Sequence, residues 1–311
     1  MDGDAVRLRM WQFESETSVR TWRPVDVPAS GTLYDVTDTA AGPCAVGDAG
    51  TAVGRASDGT WGVVLDDGPA GRGETLRAVA ATDDGERVWF AGSNGALGYY
   101  DSATGDRGNC SAPVGVENTF RALAVAGSRG NERVLVADGS GNMLVGNGAG
   151  TAVEWDRWSA PGGAPTALAT DAGETWYAVD GSGGAWMTTD DEWERVGVEP
   201  ASGSLYAVCV AESPWVGGDN GRVFESTRTG LKPGRSASWT PFSLGDGAVR
   251  ALDASGNRLL AGGESGGLFV RNGDWTALDW GGSATIHGVL AGVGVAVGAN
   301  ATVLEARKKS E

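Results

Sequence analysis

One short phrase recurs along the chain and limits what it can fold into. It consists of an apolar residue, a variable residue, a small residue and an aliphatic one. It reads Leu33-Tyr34-Asp35-Val36, Leu76-Arg77-Ala78-Val79, Phe120-Arg121-Ala122-Leu123 and Leu205-Tyr206-Ala207-Val208. It returns as Val249-Arg250-Ala251-Leu252 and Ile286-His287-Gly288-Val289, and a degenerate copy at Pro165-Thr166-Ala167-Leu168 fills the one gap. Successive starts lie 43, 44, 45, 40, 44 and 37 residues apart. Seven units of about 42 residues have the length of four-stranded propeller blades, each unable to bury its apolar faces alone.

A second anchor fixes the register. Beyond each start comes a large apolar residue, with a Gly six positions later: Cys44/Gly50, Trp89/Gly95, Leu135/Gly141, Tyr177/Gly183, Trp215/Gly221 and Leu260/Gly266, with Val295/Ala301 degenerate. The segments between, such as Gly92-Ser93-Asn94 and Gly218-Asp219-Asn220, hold residues that tolerate the positive φ of tight hairpins. Each unit therefore carries a first strand, a second strand ending at that turn, and a third after it. A fourth often opens near a Trp, at Trp61, Trp193, Trp239 and Trp275. The large residue of the second strand is expected to pack between blades, which gives Cys44 a structural rather than a reactive role.

The seventh unit ends soon after Val303-Leu304-Glu305 without a fourth strand. The beginning supplies one: Trp22-Arg23-Pro24-Val25-Asp26-Val27 leading to Ala29-Ser30-Gly31-Thr32-Leu33-Tyr34 closely parallels Trp193-Glu194-Arg195-Val196-Gly197-Val198 leading to Ala201-Ser202-Gly203-Ser204-Leu205-Tyr206. The chain, residues 1–311, thus reads as one all-β seven-bladed propeller, with residues 19–28 as the outer strand of the seventh blade. Such closure removes the open edges that invite aggregation. Residues 6–13 also alternate in polarity, through Val6, Leu8 and Met10, and either replace or extend a strand of that blade.

Forty acidic residues against 24 basic ones leave a net charge of −16. That argues against nucleic acid as a partner, because affinity for nucleic acid comes from neutralising phosphates. It equally argues against a basic membrane-binding surface, and no apolar run is long enough for membrane insertion. Only Lys232, Lys308 and Lys309 are lysines, so the composition resembles that of proteins from salt-accumulating archaea, where high salt screens surface repulsion. Cys44, Cys110 and Cys209 have neither disulfide-framework nor zinc-site spacing, and with no export signal at Met1-Asp2-Gly3-Asp4 a cytoplasmic location is expected.

Trp215-Val216-Gly217-Gly218-Asp219-Asn220-Gly221-Arg222-Val223-Phe224-Glu225-Ser226 resembles the repeat of photosystem II assembly-factor-type propellers, which belong to the wider sialidase-like group with Asp-box hairpins. Trp89 to Gly95 matches the same phrase less fully. The Asp-box survives only in worn form, at Ser57-Asp58-Gly59-Thr60-Trp61 and Thr189-Asp190-Asp191-Glu192-Trp193. The resemblance implies a propeller engaged in binding or assembly.

The variable residue of the phrase forms a ring at the channel mouth. In chain order the ring is Tyr34, Arg77, Arg121, Ala167, Tyr206, Arg250 and His287. Three guanidinium groups and the single His at one level point to binding of an anionic ligand or partner, since guanidinium groups grip carboxylates bidentately. Structural pairing with turn carboxylates on the same face, at Asp48, Asp138, Asp180, Asp219 and Glu264, accounts for the ring more simply, with Asp138 serving Arg121 and Glu264 serving Arg250. A third reading is catalysis on an acidic glycan, as the sialidase-like resemblance implies. Other chemistry finds no support. One His does not make a metal site, no cofactor motif occurs, and the calcium-like Asp138-Gly139-Ser140-Gly141-Asn142 has Gly150 where a Glu is needed. Asp83-Asp84 and Asp190-Asp191 read as solvated turns.

The reading that follows is a non-enzymatic protein-interaction or assembly scaffold without cofactor or metal. Its partner is another protein or a larger complex, or an anionic small molecule. Binding candidates are Tyr34, Arg77, Arg121, Tyr206, Arg250 and His287, with contact loops at 66–75, 101–118 and 229–238.

Overall fold

The computed structural model describes residues 20–150, 152–171, 175–189, 192–198, 203–226 and 238–308. They form seven antiparallel four-stranded sheets, and among these residues the only helical pieces are single 3-10 turns. None of the described helices is long and apolar enough to cross a membrane. The innermost strands of blades 1 to 7 are Leu33–Thr37, Leu76–Ala81, Phe120–Ala126, Pro165–Thr170, Leu205–Val210, Val249–Ser255 and Ile286–Leu290. Each touches the next, and the seventh touches the first, so the ring is closed around an axial channel.

The core lies between blades rather than within one sheet. Cys44 packs with Val46, Leu65, Leu76, Val79 and Phe90, which spans blades 1 and 2. Burial pushes its thiol up to about 12, consistent with a small apolar filler. Trp89 and Trp215 are almost fully enclosed and occupy equivalent positions on second strands, where blade 4 has Tyr177; Trp176, one residue earlier, is equally enclosed but packs toward blade 3. In the segment 101–118, expected as a contact loop, the chain instead pairs as the outer strand Arg107–Asn109 and adds a 3-10 turn at Pro113–Gly115. Segment 229–238 lies outside the described residues except for its last position, as do Asp190, Asp191 and residues 6–13.

A recurrent backbone contact sets the hairpins. In five blades the second strand ends on Gly47, Gly92, Gly218, Gly263 or Gly298. A Cβ there would meet the carbonyl oxygen of Thr32, Thr75, Ser204, Ala248 or Thr285 at 2.1–2.4 Å, which no side chain tolerates. The same carbonyl accepts the next residue's N–H at 2.8–3.0 Å, locking the turn onto the entry to the innermost strand. Blades 3 and 4 place Asp138 and Asp180 at this point instead.

Closure occurs where the repeat predicts it. Arg20–Pro24 pairs antiparallel with Val303–Lys308, setting Trp22 opposite Ala306, and Trp22 is buried in a cluster with Ile286 of its own blade and Leu260 and Leu268 of blade 6. Glu305 then reaches blade 1, accepting Trp61 Nε1–H at 3.0 Å and pairing with Arg55 Nε at 3.0 Å.

On the face opposite the mouth, the pattern did not reveal a buried ion network. Arg87, 3% exposed, pairs with Glu132 at 2.6 Å and Asp101 at 3.1 Å, joining blades 2 and 3. Asp83 and Asp84 belong to the same seam. They stand in an exposed turn, as expected, and from it accept the backbone N–H groups of Gly127 and Arg129, tying blade 2 to blade 3.

Two consequences of closure are measurable. Trp22→Ala removes a buried indole and should cost about 3–5 kcal/mol. Deleting residues 1–24 should expose the Val303–Lys308 edge, lowering and broadening the melting transition and producing concentration-dependent aggregation. An unchanged melting curve for the truncated chain would refute closure by this strand.

Candidate functional site

Every innermost strand carries a bulge at the same place. Its first and third residues pair with consecutive residues of the second strand, leaving the second residue as the extra one. Bulges re-aim side chains. Here seven of them direct Tyr34, Arg77, Arg121, Thr166, Tyr206, Arg250 and His287 into the lining of one axial cavity of about 290 Å³. In blade 4 the ring position therefore belongs to Thr166 and not to Ala167, which is the next residue down and pairs regularly with Val179. The Thr166 hydroxyl donates to a backbone carbonyl and bridges those of Val179 and Leu205 at 3.0 and 2.7 Å.

Neighbours within the ring touch. The Arg77 guanidinium lies 4.6 Å over the Tyr34 ring and that of Arg250 lies 3.9 Å over Tyr206, so each Arg stacks on a Tyr of the preceding blade. Tyr34 also meets His287 at 5.7 Å between centroids.

The turn residue after the close-approach Gly decides which ring members are neutralised. Asp48 accepts Thr32 N–H at 2.8 Å and the Tyr34 hydroxyl at 3.2 Å. Asp219 repeats this with Ser204 N–H at 2.7 Å and the Tyr206 hydroxyl at 2.9 Å. Glu264 accepts Ala248 N–H at 3.2 Å and pairs with Arg250. Blades 2 and 3 have Ser93 and Gly139 in this slot. Among the described residues, no carboxylate pairs with Arg77 or Arg121.

The expected pairing of Arg121 with Asp138 does not form. Asp138 stands one residue earlier, at the Gly position, and is fully buried. Its oxygens are taken by Ser140 N–H and Asn142 N–H, both at 2.8 Å, and by the side-chain amides of Asn118 and Asn142. Those bonds hold its carboxyl below the usual range against the opposing effect of burial. Asp180 likewise turns inward, onto Ser182, Gly184 and Trp186. Arg121 is exposed and lies across Gly139, whose Cβ position is 2.9 Å from its Nε. Arg77 is half-buried, and its Nε has no hydrogen-bond partner. The mouth is thus polarised: a compensated sector at blades 5 and 6, and two uncompensated guanidinium groups at blades 2 and 3.

His287 reports that field. Burial lowers its pKa from the ordinary 6.5, and the positive charges of Arg250 and Arg77 lower it further. Deeper in the cavity lie Asp35 and Asp253, which motif reading missed. The signal for Asp35 was its departure from the Ala or Gly that fills the third phrase position in the other six blades. Burial pushes Asp35 up to about 7; the Val79 and Val36 N–H groups pull it down, and Asp253 adds a small rise. Among the described residues, no group of three or more His, Cys, Asp or Glu is placed to hold a metal.

A closed ring of seven four-stranded blades with a lined axial mouth defines a seven-bladed β-propeller. No family model and no curated protein sequence matches the chain. Solved structures do. YCF48 from Cyanidioschyzon merolae is 13% identical with a TM-score of 0.70, covering 94% of this chain and 100% of its own. A structure of YCF48 bound to D1 peptide is 17% identical with a TM-score of 0.69, covering 92% and 96%. The RRP9 WD40 repeats are 11% identical with a TM-score of 0.71, covering 92% and 98%. At these identities the likeness shows the shared fold.

The electrostatics yield two predictions. Because His287 is the only His, its ring signals can be followed through a pH titration by NMR. Its midpoint should lie below 6.5, and Arg77→Gln should raise it, since removing a cation favours the imidazolium. A midpoint unmoved by Arg77→Gln would contradict the polarised mouth. For Asp35, the folded chain binds a proton more tightly than the unfolded one, whose carboxyl titrates near 4. The stability it contributes is present in acid and is lost as pH rises toward and through 7. Asp35→Asn should therefore gain on the wild type in denaturant midpoint between pH 5 and pH 8, whatever the offset from its altered hydrogen bonds. A constant difference would refute the raised pKa.

Proposed function

We propose that this chain is a non-enzymatic protein-interaction or assembly scaffold, acting as one unit over residues 1–311, that receives an anionic group of its partner at the propeller mouth. The observation that carries this reading is the pair of guanidinium groups on adjacent blades, Arg77 and Arg121, without a carboxylate partner among the described residues of a protein of net charge −16. Arg250 shows that the fold can neutralise this position, through Glu264, when the turn residue allows it. Tyr34 supports the stack under Arg77 and is itself held by Asp48, so the recognition surface is preorganised.

The company of folds supports the reading. YCF48 has been solved with D1 peptide bound, and another of the similar propellers is part of a mitotic checkpoint complex structure. A rigid disc with independently variable loops suits such work. The acidic, Lys-poor composition supports placing the scaffold in a salt-rich cytoplasm, where short-range bidentate contacts outlast long-range steering.

Co-purification from the native host at high salt, read by mass spectrometry, tests this. A stoichiometric protein partner is expected with the wild-type bait. It should be depleted roughly 10-fold or more for Arg77→Gln/Arg121→Gln, since a charged hydrogen bond contributes about 1.5–3 kcal/mol. It should be largely retained for Arg250→Gln, whose charge is already spoken for. Equal recovery with all three baits would refute the mouth as the docking site.

A further inference from the structure

The axial cavity changes sign with depth. At its lip stand Arg77 and Arg121. One residue below Tyr34 lies Asp35, and three residues below Arg250 lies Asp253, on the order of 10 Å further along a strand at ~3.3 Å per residue. Both carboxylates line the same cavity as the lip residues.

The local hydrogen bonds explain how these acids are held, but not why acids are there. Val36 N–H donates to Asp35 Oδ1 at 2.8 Å, and Val79 N–H of blade 2 donates to Oδ2 at 2.9 Å. Ala291 N–H of blade 7 donates to Asp253 Oδ2 at 2.6 Å. Corresponding levels of other blades are filled by Ala78, Ala122, Ala207, Ala251 and Gly288 at the first depth, and by Ala80, Ala124 and Ala169 at the second. Those blades close the ring without a carboxylate, so the fold does not require one. Burying a carboxylate is costly unless a cation compensates it. Among the described residues, neither Asp35 nor Asp253 has an ion-pair partner. Burial pushes both groups upward in pKa, with a further rise for Asp35 from Asp253 and for Asp253 from Asp38, as expected for acids awaiting a counter-charge.

We propose that the axial cavity is a binding site for a dipolar ligand, whose cationic nitrogen enters the throat to pair with Asp35 and Asp253 while its carboxylate rests on Arg77 and Arg121. The carboxylate end rests on the reading of the mouth given above; the cationic end stands on the throat alone. A cavity of about 290 Å³ suits one basic amino acid or one basic side chain of a partner segment rather than a folded element. The ordering of charge is selective as well: an acidic side chain that satisfies the lip would be repelled deeper in, and a simple cation would be repelled at the lip.

Isothermal titration of the intact protein with three probes tests the site. L-Arginine carries both charges, agmatine only the cation, and succinate only carboxylates. L-Arginine should bind at least tenfold more tightly than either of the others. Asp35→Asn/Asp253→Asn should weaken arginine and agmatine by tenfold or more and leave succinate unweakened. Should that double variant fail to fold, Thr37→Lys keeps both acids and places a tethered ammonium in the throat, and should abolish arginine binding in a folded protein. Arginine binding unaffected by the acid substitutions or by Thr37→Lys overturns the throat site while leaving the reading of the mouth intact. Arginine binding that depends on the acids but not on Arg77 and Arg121, with agmatine its equal, keeps the throat as a cation site and refutes the carboxylate end together with the mouth. No measurable binding of arginine or agmatine overturns the proposal. A blocked dipeptide, acetyl-Glu-Arg-amide, separates the two sources of this chemistry: tighter binding than arginine assigns the site to a partner segment, and weaker binding to a free amino acid.

Discussion

The structure depends on a backbone contact too close for any side chain. In five blades the second strand meets the carbonyl that precedes the innermost strand, and only Gly fits at that crossing. The contact fixes where each hairpin turns and holds that turn over the channel mouth. Immediately below it, the bulge puts one extra residue into the cavity lining. Because crossing and bulge recur around the ring, seven side chains arrive at one level without any long-range coding. Function can then be written in two short registers, the bulged residue and the turn residue after the Gly.

Those two registers account for the electrostatics of the mouth. Where the turn residue is acidic, it satisfies the backbone at the strand entry and also a ring side chain, as Asp48, Asp219 and Glu264 do. Where it is Ser93 or Gly139, the ring guanidinium keeps its charge. Cation-π stacking on Tyr34 holds Arg77 ready at little further ordering cost. Beneath the lip, acids in place of small residues reverse the sign, so that one cavity presents cationic and anionic groups in sequence.

The number of blades, the innermost strands and the closing strand were legible in the sequence because each follows from a repeated steric need: a small third residue, a left-handed turn, a buried Trp at the seam. The left-handed turn is obeyed even where the Gly is lost, since Ala301 adopts φ 51° in the degenerate seventh copy. Six of the seven ring residues were legible for the same reason. The seventh was misassigned, because Pro165-Thr166-Ala167 lacks a large residue to mark the bulge. The partners of the ring residues were less legible. Asp138 and Glu264 look alike in a turn, yet a shift of one position buries the first and frees the second to reach Arg250. Asp35 and Asp253 escaped notice because a single acid on a strand carries no motif; only the ring shows that they share a cavity. The Arg87 network was hidden for a similar reason, its members coming from two blades and lying opposite the mouth.

The central claim is that partners meet this propeller at the polarised mouth. The most direct measurement is hydrogen exchange of the protein alone and with its co-purified partner bound. The account predicts slowed exchange at the strand entries around residues 32–35, 75–78 and 119–122. Protection confined to the opposite face, around residues 84–87 and 127–132, with the mouth unchanged, would contradict it.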